Sequence, residues 1–215
     1  MKGIAIYAEG GGDHPGPELR FGFDTLLKAQ KEAARERRLR WRMVLCGRRQ
    51  ATCDAFLDAV RTEPEVVNVL LVDSEAPVAA ETGDAREDAA ARRQHLKARD
   101  GWNLDVVDAE RVHLMVQCME AWIVADPGAL AAFYGQHFKS NALPTRSNLE
   151  EEPKQDLYNK LTKATDDRRL SKGPYGKIQH ASELLKRIDS AKVAARCPRF
   201  ATFTRWLDAT IAAGA

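Results

Sequence analysis

Carboxylate side chains occur where strongly apolar stretches of this sequence end. Glu9 follows the apolar run 4–8, and three glycines separate it from Asp13, namely Gly10, Gly11 and Gly12. Ligands bind at the carboxyl ends of strands in open α/β sheets, so we predict a binding role for Glu9. Glycines let a ligand approach the backbone closely, which favours a bound phosphate at this turn. A divalent cation between the phosphate and the two acids would offset their repulsion. The alternative is a tight turn with a solvated acid on each side.

A second pair of acids, Asp73 and Glu75, follows the clearest strand pattern of the chain, residues 66–72. In an extended segment, residues i and i+2 project to the same side, so both carboxylates are expected to face one spot. Acids that close raise each other's pKa unless a cation neutralises them. A solvated loop is the alternative, but the position at a strand end matches that of Glu9.

The third pair lies in the segment Cys-Met-Glu-Ala-Trp-Ile-Val-Ala-Asp-Pro, residues 118–127. Glu120 interrupts an apolar run just after a strand pattern at 112–117, and an acid in such a run needs a partner. We therefore predict that Glu120 binds a metal ion. Asp126 fits two interpretations, a metal ligand or the N-cap of a helix that begins at Pro127.

Basic residues offer contacts for an anionic substrate. Five arginines fall between positions 35 and 42, and we assign Arg38 of this group to substrate binding. The alternative is that these arginines stabilise the C-terminal end of a helix dipole. Lys154 lies in a helical pattern at 152–165 whose polar side is basic, and we assign it to the same role.

Alternating strand and helix patterns must position these residues. We predict strands at 4–8, 41–46, 66–72 and 112–117, with helices at 18–38, 50–61 and from 84 to about 100. This alternation predicts an α/β fold with a mostly parallel sheet flanked by helices. After a short helix at 127–134 and a loop at 136–151, helices at 152–165, 178–188 and 200–212 form a helical C-terminal third. The aromatic residues of the last helix are assigned to packing.

Composition excludes few classes of protein. The 33 basic and 31 acidic residues nearly cancel, so charge alone does not indicate nucleic-acid binding. Four cysteines form no C-x-x-C pair, which argues against a zinc site and favours the reduced thiols of a cytoplasmic protein. We find no signal peptide and no apolar run long enough to span a bilayer, so we predict no membrane partner.

With these residues in place, the chain resembles Toprim-type proteins. In that family a Glu follows the first strand and a D-x-D pair follows a later one, and together they hold Mg²⁺ for phosphodiester chemistry. Glu9 and the pair Asp73 and Glu75 match this pattern, although Glu75 stands where the family commonly has Asp. More narrowly, the chain is similar to a Toprim-like group described as a domain of unknown function, number 4276. The similar segments are IYAEGGGD, LLVDSE, HLMVQCMEAWIVAD, EPKQDLYNKL, YGKIQHASELLKRID and CPRF.

The resemblance implies a Toprim-like (Rossmann-like) α/β core at 1–135 and a helical extension at 136–215 packed on it. It also implies that Tyr175 and Lys177 lie close to the acidic site, where Lys177 would balance charge on a phosphate. The alternative for Lys177 is an exposed side chain beside a flexible turn.

The resemblance also implies a biological role, because several members of this group look like nuclease effectors of phage-defence systems. Some of these effectors look restrained by a partner ATPase. We therefore predict a nuclease that cleaves DNA or RNA with Mg²⁺ or Mn²⁺, and a regulatory ATPase or a second copy as partner. The residues assigned to catalysis are Glu9, Asp73, Glu75, Glu120 and Lys177. Metal ligands are the same four acids with Asp13 and Asp126, and substrate contacts are Gly10, Gly11, Gly12, Arg38, Lys154 and Tyr175.

Two other functions remain open on the sequence alone. One is a subunit of a defence complex that binds Mg²⁺ and a nucleotide, or docks a partner, without cleaving. The other is a folded scaffold whose metal site has degenerated because Glu75 replaces Asp.

Overall fold

Four parallel strands form one sheet in the computed structural model, which describes residues 2–10 and 17–215. The strands are β1 (Gly3–Ala8), β2 (Arg40–Leu45), β3 (Val66–Asp73) and β4 (Val112–Met115), in the order β2-β1-β3-β4. The predicted α/β fold with a parallel sheet flanked by helices is confirmed. Strand β4 is two residues shorter than predicted.

The register of the strands brings their carboxyl ends to one side of the sheet, which we call the carboxyl edge. Ala8, the last residue of β1, is level with Leu71 of β3, and Asp73 is level with Met115 of β4. Strand β3 therefore extends two residues beyond β1. Every residue of β1 is buried, as expected for a strand covered on both faces.

Helices connect the strands and cover both faces of the sheet. They are α1 (Pro17–Leu26), α2 (Lys28–Glu36), α3 (Arg49–Thr62), α4 (Ala85–Asp100), α5 (Glu120–Val124), α6 (Pro127–Tyr134), α7 (Lys154–Thr165), α8 (Lys177–Leu185), α9 (Ser190–Arg196) and α10 (Pro198–Ala213). Short 3-10 helices occur at Ala109–Arg111, Ser140–Ala142 and Leu149–Glu151. No helix among the described residues is long and apolar enough to cross a membrane.

Two helices replace the single helix predicted at 18–38. Leu27 separates α1 from α2 with backbone angles of φ −97° and ψ 27°, which lie outside the helical range. The hydrogen-bonded turns continue through this point, because Leu27 N–H donates to Phe23 O and Lys31 N–H donates to Leu27 O. These two hydrogen bonds connect the end of α1 to the start of α2 across Leu27. Helix α9 had no counterpart in the prediction.

The sheet separates two hydrophobic clusters. Ile4 and Ile6 point to the face covered by α1, α2 and the C-terminal helices, whereas Ala5 and Tyr7 point to the face covered by α3 and α4. Alternation along a strand produces this division. The predicted packing role of the last helix is confirmed, since Phe200 is buried with its ring centroid 4.7 Å from that of Trp122.

Candidate functional site

Three carboxylates meet at the carboxyl edge of the sheet. Glu9 follows β1, Asp73 ends β3, and Glu75 lies two residues further on. One oxygen of each lies within 4.8 Å of the corresponding oxygens of the other two. We call these three residues the acidic cluster. They meet because β1 and β3 are neighbours in the sheet.

Asp73 is the most constrained member of the acidic cluster. Its side chain is buried, and Oδ1 accepts a hydrogen bond of 2.9 Å from the Met119 backbone N–H at the start of α5. Burial raises the pKa of Asp73 well above its ordinary value; Lys177 opposes the shift and the carboxylates of Glu9 and Glu120 add to it. The site therefore disfavours a negative charge on Asp73 unless a cation is close.

Glu75 reaches the acidic cluster from an unusual backbone conformation. Its φ is 63°, in the left-handed region, so the extended segment predicted through residue 75 is wrong. The backbone N–H of Glu75 donates to Gln117 O at 2.8 Å, which ties the turn to the segment after β4. The side chain is held by Lys154, whose Nζ lies 2.6 Å from Glu75 Oε2.

Glu9 is held by Arg49, a residue that the sequence analysis did not select. Arg49 Nη1 lies 3.2 Å from Glu9 Oε2 and 2.6 Å from the Asp73 carbonyl oxygen. The same guanidinium binds both oxygens of Asp100, at 3.0 and 2.8 Å. Arg49 therefore links the ends of β1 and β3 to the end of α4. Arg49 is the first residue of α3, the helix that follows β2. This position places it at the carboxyl edge and is the signal in the sequence that could have indicated Arg49.

Gln117 is a second residue that the sequence analysis missed. Its carbonyl oxygen accepts from Glu75 N–H, and its side-chain Oε1 accepts from Lys154 N–H at 3.0 Å. One buried residue thus fixes both partners of the Lys154–Glu75 ion pair. Gln117 follows β4 at the carboxyl edge, the same positional signal as for Arg49.

Glu120 lies beside the acidic cluster as the first residue of α5, and its side chain is fully buried. Oε1 accepts a 3.1 Å hydrogen bond from the Tyr175 hydroxyl, whereas Oε2 accepts none from the residues that the structure describes. Burial raises the pKa of Tyr175, and the Glu120 carboxylate adds to the shift, so the hydroxyl keeps its proton and donates. A buried carboxylate oxygen without a hydrogen-bond donor is costly, so a positive charge close to Oε2 would be favourable.

Lys177 is the nearest cation to these buried carboxylates. Its Nζ lies 3.5 Å from Asp73 Oδ2 and 3.7 Å from Glu120 Oε2. Burial favours the neutral amine, but the Asp73 and Glu120 carboxylates outweigh it and raise the pKa of Lys177. The side chain is 41% exposed, so one side of the ammonium group faces solvent. Lys177 thus lies between the buried acids and any ligand that approaches.

Asp126 lies outside the acidic cluster, which corrects its assignment as a metal ligand. Oδ1 accepts from Ala129 N–H at 3.2 Å and caps α6, as the alternative interpretation proposed. Oδ1 also binds Lys192 Nζ at 2.8 Å, and Oδ2 accepts from Asp189 N–H at 3.2 Å. Burial raises the pKa of Asp126, but these donors outweigh it and the net shift is downward. Both oxygens are occupied by structural partners.

Arg38 also lies away from the acidic cluster. It precedes β2, and the parallel register places the start of β2 level with the start of β1, at the opposite edge of the sheet from Glu9. A single phosphate cannot contact both residues, so the substrate contact predicted for Arg38 would lie away from the acidic cluster and stays a prediction.

Gly10 lies at the carboxyl edge. Its N–H donates to Gly47 O at 3.1 Å, and a Cβ on Gly10 would come within 2.6 Å of Leu19. The predicted contacts from Gly11, Gly12 and Asp13 lie outside the described residues.

The acidic cluster suits a hard divalent cation. Oxygens on opposite sides of an octahedral Mg²⁺ are about 4.2 Å apart, given Mg–O distances of about 2.1 Å, and the cluster spans a comparable distance. All three donors are carboxylates, the ligand type that Mg²⁺ and Mn²⁺ prefer. Glu120 Oε2 lacks a hydrogen-bond donor among the described residues, and the pKa of Asp73 is raised although Lys177 is close, so an added positive charge would be favourable here. The residues present therefore fit such an ion.

The fold and the site together define an α/β protein of Rossmann-like topology with a candidate metal centre at the carboxyl edge of its sheet. The family model named Domain of unknown function (DUF4276) matches residues 18–208, and the chain belongs to that family. The match includes Asp73, Glu75, Glu120 and Lys177 and begins after Glu9. No curated protein and no solved structure matches the chain.

Proposed function

We propose that this protein is a divalent-metal-dependent phosphodiesterase of the Toprim type that hydrolyses DNA or RNA. The observation that supports this most is the meeting of Glu9, Asp73 and Glu75, whose oxygens lie within 4.8 Å of one another. Three carboxylates that close repel one another, and a divalent cation between them would offset the repulsion.

The carboxylates of the acidic cluster would hold the ion. A bound Mg²⁺ or Mn²⁺ supplies polarisation of the phosphate and activation of a water molecule. Asp73 is fixed for this by the Met119 N–H, which occupies one oxygen and leaves the other facing Lys177. Glu9 is fixed by Arg49, and Glu75 by Lys154. These partners keep the carboxylates in place before a ligand arrives.

The lysines at the site would act on the substrate. Lys177 and Lys154 now pair with acids, and both side chains are partly exposed, so a phosphate group can approach their ammonium groups. Charge that develops on the phosphate oxygens would be stabilised by these two cations. Tyr175 positions Glu120 rather than the phosphate, because its hydroxyl proton is donated to Glu120 Oε1.

The biological setting is part of the same proposal. Resemblance to nuclease effectors supports a role in phage defence, with a regulatory ATPase or a second copy as partner. All four cysteines are free thiols, which supports a reducing compartment such as the cytoplasm.

Cleavage assays test the proposal directly. The purified protein is incubated with plasmid, single-stranded DNA and total tRNA in Mg²⁺, in Mn²⁺ and in chelator. We expect metal-dependent cleavage, and a loss of about 100-fold or more in Asp73→Asn, which keeps an acceptor for Met119 N–H but removes the charge. Asp58→Asn is the matched control, because Asp58 is an exposed residue of α3 whose side chain pairs with the exposed Arg61. Equal cleavage by Asp73→Asn and wild type would refute the proposal.

A specific observation favours a second candidate, a subunit that docks a partner or a nucleotide without cleaving. Lys154 lies 2.6 Å from Glu75, and Lys177 lies within 3.7 Å of both Asp73 and Glu120, so the protein neutralises much of its own acidic charge. Titration calorimetry with Mn²⁺ separates the cases. Heat that Asp73→Asn abolishes, without cleavage of any substrate, supports the binding subunit; no heat in either protein supports a scaffold.

A further inference from the structure

A groove of about 750 Å³ runs beside the edge strand β2 along helices α1 and α2. Its lining includes two aromatic side chains and five basic ones against two acidic ones. We call it the basic groove and define it by Phe21, Lys28, Lys31, Arg35, Arg38 and Trp41. None of the residues that line it belongs to the acidic cluster.

The basic groove is elongated. Phe21 lies on α1 and Arg35 lies near the end of α2, and both line the groove together with Lys28. At about 1.5 Å per helical residue, the two helices extend the groove by up to about 20 Å between Phe21 and Arg35. A groove of this length accommodates a chain better than a compact molecule.

Aromatic surface lies open in the basic groove. Phe21 is 58% exposed, which is unusual for a large apolar side chain. Trp41 is partly buried, and its indole N–H donates to Asp24 Oδ1 at 2.9 Å, so the ring is held in one orientation. Lys186 Nζ lies over one face of the Phe21 ring, 5.0 Å from its centroid. The Trp41 ring and the remaining open surface of Phe21 offer faces on which planar groups can stack.

Two arginines of the groove have no side-chain partner among the described residues. The acids of the groove are already used: Asp24 pairs with Lys31 at 2.8 Å, and Glu32 pairs with Lys28 at 3.7 Å. Arg35 and Arg38 are left with their positive charge uncompensated. Arg38 has a φ of 58°, in the left-handed region, which glycine adopts at a lower conformational cost than arginine.

We propose that the basic groove binds single-stranded nucleic acid, with phosphates on Arg35 and Arg38 and bases stacked on Phe21 and Trp41. A length of about 20 Å corresponds to about six nucleotides at a stacked spacing of about 3.4 Å. This inference rests on the proposed function, in which a nucleic acid is the substrate. The basic groove would add a binding site for that substrate that needs no metal and lies apart from the acidic cluster.

Fluorescence anisotropy with a labelled 12-nucleotide oligothymidine tests the groove in excess chelator, where cleavage cannot interfere. We expect Arg35→Ser/Arg38→Ser to weaken binding by at least tenfold and to reduce the slope of log K against log[salt] by about 1.4, since each phosphate contact on a single strand contributes about 0.7. Phe21→Ala should weaken binding at least about fivefold through lost stacking. Its side chain is largely exposed, so circular dichroism should show an unchanged fold.

A double variant on the other side of the molecule is the matched control. Arg61 and Lys97 are exposed residues of α3 and α4, and each pairs with an exposed acid. Arg61→Ser/Lys97→Ser removes the same charge and should bind the oligonucleotide as wild type does. Equal weakening by the control and the groove variant would overturn the inference, because it would show a general charge effect. Competition by an oligoglutamate as strong as that by unlabelled oligothymidine would also overturn it.

The two proposals fail in different ways. Groove-dependent binding in chelator without cleavage in Mg²⁺ or Mn²⁺ leaves the groove standing and removes the nuclease. Metal-dependent cleavage with unchanged oligonucleotide binding by the Arg35→Ser/Arg38→Ser variant leaves the nuclease standing and removes the groove.

Discussion

Replacing Lys177 by methionine should destabilise the protein in chelator and strengthen its binding of Mn²⁺. Lys177 lies within 3.7 Å of Asp73 and Glu120, which are 1% and 0% exposed. Removing one partner of a buried ion pair costs about 3–5 kcal/mol, because an uncompensated charge remains in the interior. The Lys177 side chain is 41% exposed, so solvent screens part of the interaction, and we expect about 2 kcal/mol.

Thermal unfolding followed by circular dichroism measures this effect. For a chain of this size, a loss of about 2 kcal/mol lowers the Tm by about 4–8 °C. Mn²⁺ at about 100 times its Kd should restore about 2.7 kcal/mol, because the ion binds only the folded state. The restored stability in the variant should exceed the gain in wild type, where Lys177 competes with the ion for the same oxygens.

Two further variants test whether the unpaired charge causes the loss of stability. In Lys177→Met/Glu120→Gln the unpaired charge on Glu120 is gone, so the second substitution should recover part of the lost stability rather than add to the loss. Lys97→Met is the control, because Lys97 forms an exposed pair with Asp105 and should change the Tm by less than about 2 °C. A Tm of Lys177→Met equal to that of wild type in chelator, with no larger gain from Mn²⁺, would refute the reasoning.

Three other predictions concern pH, the first turn and the cap of α6. Burial raises the pKa of Glu150 to about 7 in the folded protein, above its ordinary value of 4.5. The folded state therefore binds the Glu150 proton more tightly than the unfolded state, which stabilises it by up to about 3 kcal/mol. This stabilisation should be complete below pH 4.5 and lost as the pH rises through 7. In denaturant titrations, Glu150→Gln should lack this dependence on pH. Gly10→Ala should lower the free energy of unfolding by about 1–3 kcal/mol, because φ is 143° and the new Cβ meets Leu19, and it should weaken Mn²⁺ binding by displacing Glu9. Asp126→Ala should cost about 1–2 kcal/mol through the lost cap while calorimetry shows unchanged Mn²⁺ affinity; a weakened affinity would return Asp126 to the metal ligands.

Local patterns determined where the strands and their terminal acids lie. Short apolar runs at 4–8 and 66–72 predicted β1 and β3, since buried parallel strands are continuously apolar. Proline after an aspartate predicted helix α6 with its residue limits, because both the cap and the fixed φ of proline are local effects. The carboxyl-end rule then indicated Glu9 and Asp73 as one site before any contact was known.

Only the tertiary structure decided which charged groups share that site. The strand order puts β1 beside β3, and the fold of the C-terminal segment brings Lys177 to Asp73 across 104 residues of sequence. Arg49 and Gln117 joined the site, whereas Arg38 and Asp126 proved to be elsewhere. Secondary-structure preference depends on near neighbours in the sequence, but ion pairs depend on how distant elements pack. The acids of this site could therefore be predicted from the sequence, and the nearness of Lys177 and Tyr175 from the resemblance. The contacts of Arg49 with Glu9, of Lys154 with Glu75 and of Gln117 with Lys154 could be known only from the fold.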